Sequence, residues 1–209
     1  MATKILSNFQ KYCNDKTIAV VGNSSCIFNN THGKLIDSHD IVIRFNWTID
    51  TLLKKWPANV GTKFNVYVYS IKSPGKLKQI LNKGILKDKN FIIRTRHDDS
   101  NYFDLDIEYR KKILYYSQDE FRESISNDFF INKEPSAGAM AIQFLLDCVD
   151  FKSISLFGFD FFESSGDMPR QSNEFKSFFY SAHDKGYERQ FFEHLISEYK
   201  GTNKFNFYK

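Results

Sequence analysis

Three groups of residues in this 209-residue sequence have types and spacings suited to chemistry on an anionic ligand. The first combines Gly22-Asn23-Ser24-Ser25 with Asn46. Each follows an apolar run, Ile18-Ala19-Val20-Val21 in one case and Ile41-Val42-Ile43 leading into Arg44-Phe45 in the other. Such runs read as strands buried on both faces, and the small residues beyond them let a backbone turn and present its N–H groups. Asn23, Ser24 and Asn46 therefore stand at the carboxyl ends of strands, where open α/β sheets bind ligands. The second group is Ser136-Ala137-Gly138, at the start of a long apolar helix. A helix start offers N–H groups and a positive dipole end to a phosphate or carboxylate. Ser136 either bonds such an anion through its hydroxyl or caps its own helix, and Gly138 admits a close approach of ribose or phosphate. The third group is His183-Asp184-Lys185-Gly186-Tyr187-Glu188. A histidine beside a helix start serves as a general base when its pKa lies near neutrality; otherwise it is a cap in a solvated charge run. Glu188 either orients a neighbouring group or satisfies first-turn N–H groups.

Other chemistries find little support. The Ser136 loop lacks the lysine and glycine spacing of a Walker motif, and Gly22-Asn23-Ser24 is not a GxGxxG fingerprint. His32, His97 and His194 have no acidic partner at metal-ligand spacing, and His39 in Asp-Ser-His-Asp reads as a structural hydrogen-bonder. Asp104-Leu105-Asp106 has the DxD pattern of metal-dependent nucleotide-sugar chemistry but lies in an acidic segment of surface-loop character. Neither a metal nor a resident cofactor is expected. Cys13, Cys26 and Cys148 form no CxxC pair, and an odd, unpatterned set of cysteines argues for a reducing compartment. The net charge of +4 is mild and spread along the chain, which suits a small anion or anionic surface and gives no nucleic-acid-binding arm. The N-terminus has no apolar stretch of signal-peptide or anchor length, so a cytoplasmic protein without an integral membrane segment is expected. On the residues alone, the chemistry is that of a nucleotide-like anion site.

The elements that must position these groups follow from patterning. The length fits one domain over residues 1–209, and 42% hydrophobic content supplies a core. A helix over 3–14 covers a sheet edge; strands follow at 18–21 and 41–45, at Phe64–Tyr69, Phe91–Arg94, Lys112–Tyr116 and Ser153–Gly158. Trp47 to Ala58 is a short helix or loop closed by Pro57, and Lys76 to Leu81 is compatible with a helix. Ser117 and Glu120 have capping-box spacing, which starts a helix through Phe121 and Ile125. A long helix spans Ala139 to Val149, residues 163–173 have loop composition suited to a lid, and a last helix runs from about Tyr187 to Tyr199. Strands alternating with helices predict a Rossmann-like, mostly parallel sheet with helices on both faces.

These stretches, in this order, resemble the motifs of the sialyltransferase family that contains the animal Golgi enzymes (glycosyltransferase family 29). The long motif resembles AVVGNS, IDSHDIVIRFN and NVGTK within Ile18–Gly61 and just beyond. The short motif resembles Pro135–Gly138 through Ser155-Leu156-Phe157-Gly158-Phe159, and the very short motif, histidine then four residues then glutamate, matches His183 and Glu188. The resemblance covers roughly residues 17–195. It implies a single-domain variant of the glycosyltransferase A fold and an inverting, metal-independent transfer of a sialic acid from its CMP donor to a hydroxyl of a surface glycan or glycolipid. Together with the cytoplasmic expectation above, this gives an expected place in polysaccharide or lipooligosaccharide assembly from the cytoplasmic side, with peripheral contact at the membrane's inner face. Under it, Asn23, Ser24 and Asn46 contact donor phosphate and ribose, Ser136, Ala137 and Gly138 bind the same region at the helix start, Phe159 packs near the cytidine, Glu188 belongs to the donor site, and His183 takes the acceptor proton. Tyr180 is the nearest residue to the family's third, aromatic-rich motif, which assists the leaving phosphate. Ile18 replaces the long-motif cysteine, so the disulfide of the animal enzymes is not expected, and no counterpart of their anchor and stem is seen. Two other readings share these residues: transfer of Kdo or another CMP-ulosonic acid, and a non-catalytic nucleotide-binding or scaffold module.

Overall fold

A computed structural model describes residues 2–45, 53–70, 84, 86–95, 107–125, 134–160 and 184–208. Among them, seven strands form one parallel sheet. They are β1 (Thr17–Val21), β2 (Ile41–Phe45), β3 (Val66–Tyr69), β4 (Phe91–Arg94), β5 (Ile113–Tyr115), β6 (Ser153–Phe157) and β7 (Phe205–Tyr208). Their order across the sheet is β5-β4-β3-β2-β1-β6-β7, with every neighbouring pair parallel. The α/β architecture expected from the alternating pattern is therefore present. β1 is the hub: the chain builds outward from it through β2 to β5, then returns to lay β6 against its other side. That reversal is a topological switch point, and the carboxyl ends of β1 and β6 are where an open α/β sheet places its ligand crevice.

The near-continuous apolar runs of β1 and β2 are buried on both sides, as parallel strands require. One face of the sheet carries Ile18, Val20, Ile41, Ile43, Phe45, Val66, Val68, Ile93, Leu114, Ile154 and Leu156. Against it pack helix α1 (Ala2–Cys13) through Phe9 and Cys13, and two helices that bear on the site, α6 (Ala137–Cys148) and α7 (Lys185–Glu198). The opposite face is covered by short pieces. A 3-10 turn (Ser25–Asn29), α2 (Gly33–Ser38) and α3 (Pro57–Val60) bring Ile27, Ile36 and Val60 against Ala19, Val21, Val42 and Phe157. Beside them, Phe64 and Leu86 cover Tyr67, Tyr69, Ile92 and Ile113. Helix α4 (Ile107–Arg110) precedes β5, and α5 (Gln118–Ser124) follows it.

Several boundaries differ from the sequence expectation. Residues 53–55 are helical and stop before Pro57, as expected, and Pro57 also opens α3, because its fixed φ and missing N–H suit a first helical position. β3 begins at Val66, since Asn65 spends its side-chain oxygen on the Val42 N–H and turns the chain into the sheet. α6 starts at Ala137 with Ser136 as its cap, and α7 at Lys185 with Asp184 as its cap. The capping box at Ser117 and Glu120 is present, with both reciprocal bonds formed. β7 is additional to the six expected strands. The readings of Lys76–Leu81 as a helix, of 163–173 as a lid and of Asp104-Leu105-Asp106 lie outside the described residues. No described helix is long and apolar enough to cross a membrane.

Candidate functional site

The β1–β6 crevice gathers most of the described candidates. At its floor the two strand tips touch through backbone: the Gly22 N–H donates to the Phe157 carbonyl at 2.7 Å and the Ser24 N–H to the Gly158 carbonyl at 3.1 Å. A Cβ at Gly22 would lie 2.4 Å from the Gly158 oxygen, and Gly158 itself has φ +67°. Both positions therefore require glycine, one for contact and the other for backbone conformation. The Ser24 hydroxyl caps the following 3-10 turn by accepting from the Cys26 N–H. Asn23 reaches sideways, its amide donating to the Phe45 carbonyl at 3.4 Å, which ties the β1 tip to the β2 tip. Asn46, directly after that carbonyl, lies outside the described residues.

The first turn of α6 closes onto this floor. A Cβ at Gly138 would meet the Phe159 ring at 2.7 Å, and one at Gly22 would meet the same ring at 3.1 Å. The half-buried Phe159 thus lies between two bare glycines, with Phe45 and Phe192 at ring-centroid distances of 6.1 and 5.5 Å. Gly138 is needed for that ring, whatever else it admits. Ser136 does cap the helix: its hydroxyl accepts from the Ala139 N–H at 3.1 Å, and its carbonyl from the Met140 N–H at 3.0 Å. Helix geometry leaves the N–H groups of Ala137 and Gly138 without an intrahelical acceptor, and these are the donors a bound anion would meet.

Glu188 joins the two helices. It is 2% exposed in the first turn of α7, and its two carboxylate oxygens accept from the Ser136 N–H at 2.6 Å and the Ser136 hydroxyl at 3.0 Å. Burial pushes its pKa up to about 7, against the opposing effect of those two hydrogen bonds. Asp184 fixes the start of α7 by accepting from the Gly186 and Tyr187 N–H groups. His183, the residue before it, and Tyr180 lie outside the described residues.

The second half of the long-motif stretch forms a clasp behind the β2 tip. Arg44 is buried and donates to the Lys63 and Val60 carbonyls at 2.9 and 2.6 Å. Asp37 accepts from the Thr62 and Lys63 N–H groups and the Thr62 hydroxyl, bonds that hold its pKa below the usual carboxylate value despite partial burial. His39 has the structural role expected of it, its ring bonded to the Leu35 carbonyl at 2.9 Å. None of the three cysteines is in a disulfide; burial pushes Cys13 up to about 12 and Cys148 up to about 11, so neither is a thiolate near neutrality. No group of three or more His, Cys, Asp or Glu among the described residues is arranged to hold a metal. Sequence reasoning placed Ser136 and Glu188 separately and missed that they bond each other. It also missed that Gly22, Gly138 and Phe159 form one packed unit; two glycines and an aromatic at three element ends were the available signal.

Residues 7–100 match the model of glycosyltransferase family 29 (sialyltransferase). Among solved structures, a mammalian sialyltransferase in complex with Gal-beta-1-3GalNAc-ortho-nitrophenol is similar at a TM-score of 0.57 and 20% identity, over 94% of this chain and 70% of that one. A second mammalian sialyltransferase structure is similar at 0.56 and 16% identity, over 100% of this chain and 79% of that one. At such identities the structural likeness is one of fold. No curated protein matches the chain. Residues 7–100, from α1 past β4, are thus similar to the sialyltransferase family model, and the fold as a whole is similar to that of the mammalian sialyltransferases.

Proposed function

We propose that the protein is a glycosyltransferase that moves a sialic acid from CMP-sialic acid to a sugar hydroxyl of a surface glycan or glycolipid, with inversion and without a metal. The observation that carries this reading is the junction at the β1–β6 crevice, where the Gly22–Ser24 turn, the Phe159 ring and the amino end of α6 meet. In a chain with the family match above, a crevice with helix N–H donors at one side and an aromatic ring at its floor suits a nucleotide monophosphate.

The chemistry follows from the leaving group. CMP departs as a phosphate monoester of low basicity, and the N–H groups of Ala137 and Gly138 would stabilise the charge that develops on it. Asn23, Ser24 and Asn46 would bind the donor's phosphate and ribose from the strand tips, and Phe159 would pack near the cytidine. Glu188 acts in the donor site through Ser136, which it holds by two bonds. His183 would take the acceptor hydroxyl proton, and Tyr180 would assist the leaving phosphate. The sugar centre is oxocarbenium-like in such a transfer, so orientation of the attacking hydroxyl supplies much of the rate.

CMP release measured over a panel of CMP-sugars, with and without EDTA, tests the reading. Turnover of CMP-sialic acid that is indifferent to EDTA is expected. Activity confined to CMP-Kdo would transfer the reading to another ulosonic acid, loss with EDTA would overturn metal independence, and no turnover of any CMP-sugar would overturn transfer itself. General-base contributions run to about 10²–10⁴-fold, so His183→Ala retaining more than about a tenth of wild-type turnover would remove His183 as the base.

A further inference from the structure

The thin cap over one sheet face carries a surface of distinct chemistry. The 3-10 turn, α2 and α3 lie side by side there. Phe28 and Trp56 meet edge to face at 5.2 Å, Asn59 donates to the Asn30 carbonyl at 2.8 Å, and a Cβ at Gly33 would meet the Pro57 carbonyl oxygen, so α2 and α3 are in backbone contact. Outward from these contacts stand Lys34, Leu35, Lys54 and Lys55, all exposed, with Lys55 Nζ 5.8 Å from the centre of the Trp56 ring. Leu35, at 38%, is one of three large apolar side chains left exposed among the described residues. Residues 25–36 and 53–60 contain three lysines, one histidine, two aromatic rings and no carboxylate. Asp37, the acid of α2, is committed to Thr62 and Lys63.

We infer that this Phe28–Trp56–lysine surface docks the protein on an anionic lipid bilayer. The inference rests on the glycolipid branch of the function proposed above for its purpose, and on charge and ring placement for its location. Half-buried aromatic rings beside lysine ammonium groups are the composition of an interfacial contact: the rings enter the headgroup layer while the ammonium groups pair with anionic heads. The surface also has a functional address. Phe28 is four residues from Ser24, the cap of the same 3-10 turn, and a rise of about 2 Å per residue sets the two about 8 Å apart along the turn. A bilayer seated on Phe28 and Trp56 therefore lies within a few sugar lengths of the donor crevice, near enough for a lipid-borne acceptor to reach it.

Co-sedimentation of the full chain with vesicles tests this without any turnover. With vesicles of about one-third phosphatidylglycerol in phosphatidylcholine, the bound fraction should correspond to a partition coefficient at least about tenfold above that for pure phosphatidylcholine. It should fall away in about 0.5 M salt, where screening is nearly complete beyond roughly 4 Å. The double variant K34E/K55E and the single variant W56A should each lose about tenfold or more while keeping wild-type circular dichroism and wild-type transfer to a soluble acceptor. The control K152E/K200E, which reverses two exposed lysines near the amino edge of the sheet, should bind as wild type does. Equal binding to neutral and anionic vesicles, retention by K34E/K55E, or equal loss in the control would overturn the inference, as would binding to a single-stranded oligonucleotide in place of vesicles. A chain that binds vesicles as described but turns over no CMP-sugar would sink the proposed function and leave this surface standing.

Discussion

Glu188 is a carboxyl group where charge is costly, and its pH behaviour follows from that. Its ordinary value of 4.5 rises to about 7 in the fold, with burial as the largest cause. Between those two values the folded protein holds a proton that the unfolded chain has released, so stability falls as pH rises through the window. The difference corresponds to about 3 kcal/mol across it. Ser136 accommodates both states: its N–H always donates to one oxygen, while the proton on the other side belongs either to its hydroxyl or to the acid. Glu188→Gln reproduces the neutral state, with its carbonyl accepting from the Ser136 N–H and its amide donating to the hydroxyl. Urea unfolding from pH 5 to pH 8 should show a decline for wild type that the variant largely lacks. Equal slopes for the two proteins would mean that Glu188 is ionised throughout.

At the scale of elements, α6 is seated against the tip of β6 by a contact that only glycine permits. Two effects compete when Gly138 becomes alanine. Helix propensity favours alanine by up to about 1 kcal/mol, while forcing a methyl group to within 2.7 Å of the Phe159 ring costs about 1–3 kcal/mol. A net destabilisation of about 1 kcal/mol is expected in the wild-type background, reversing to neutral or stabilising when Phe159 is leucine. Thermal unfolding of the two single variants and the double variant measures that coupling, and a stabilising Gly138→Ala in the wild type would refute the seat. The same helix shows what was readable in the sequence. Its cap was legible because Ser136 announces a start through local chemistry, as Ser117 and Glu120 do for α5. Pro57 was half legible: residues 53–55 are helical and stop before it, but that it also opens α3 depends on Val60 finding a core to enter. β7 was invisible because Phe205-Asn206-Phe207-Tyr208 gains its partners only when β6 is beside it and Tyr208 stacks on Phe157 at 4.7 Å.

For the molecule as a whole, one strand bears most of the organisation. β1 pairs along its full length with β6 and over four residues with β2; it is buried on both faces from Ile18 to Val21, and its turn supplies the crevice floor. The site was legible in the sequence to the extent that it hangs on this strand, since Gly22 to Ser24 follow it directly. The contacts from α6, β6 and α7 come from 110 to 170 residues away in sequence, and topology alone brings them in. A hub of this kind should be the last part of the protein to open. Amides of Ile18 to Val21 have neighbours on both sides and reach solvent only when the sheet itself comes apart, whereas β5 and β7 lie at the two edges. Hydrogen exchange should then show β1 exchanging through global unfolding, and the edge strands through local openings faster by roughly two orders of magnitude, equivalent to about 3 kcal/mol. If β1 exchanged as fast as β5 and β7, the crevice floor would be a mobile part of the molecule, and a donor site built on it could not rely on preorganisation. If β1 is the slowest, the Gly22–Ser24 turn is held by the most stable part of the fold, as a site that must orient a phosphate and an attacking hydroxyl requires.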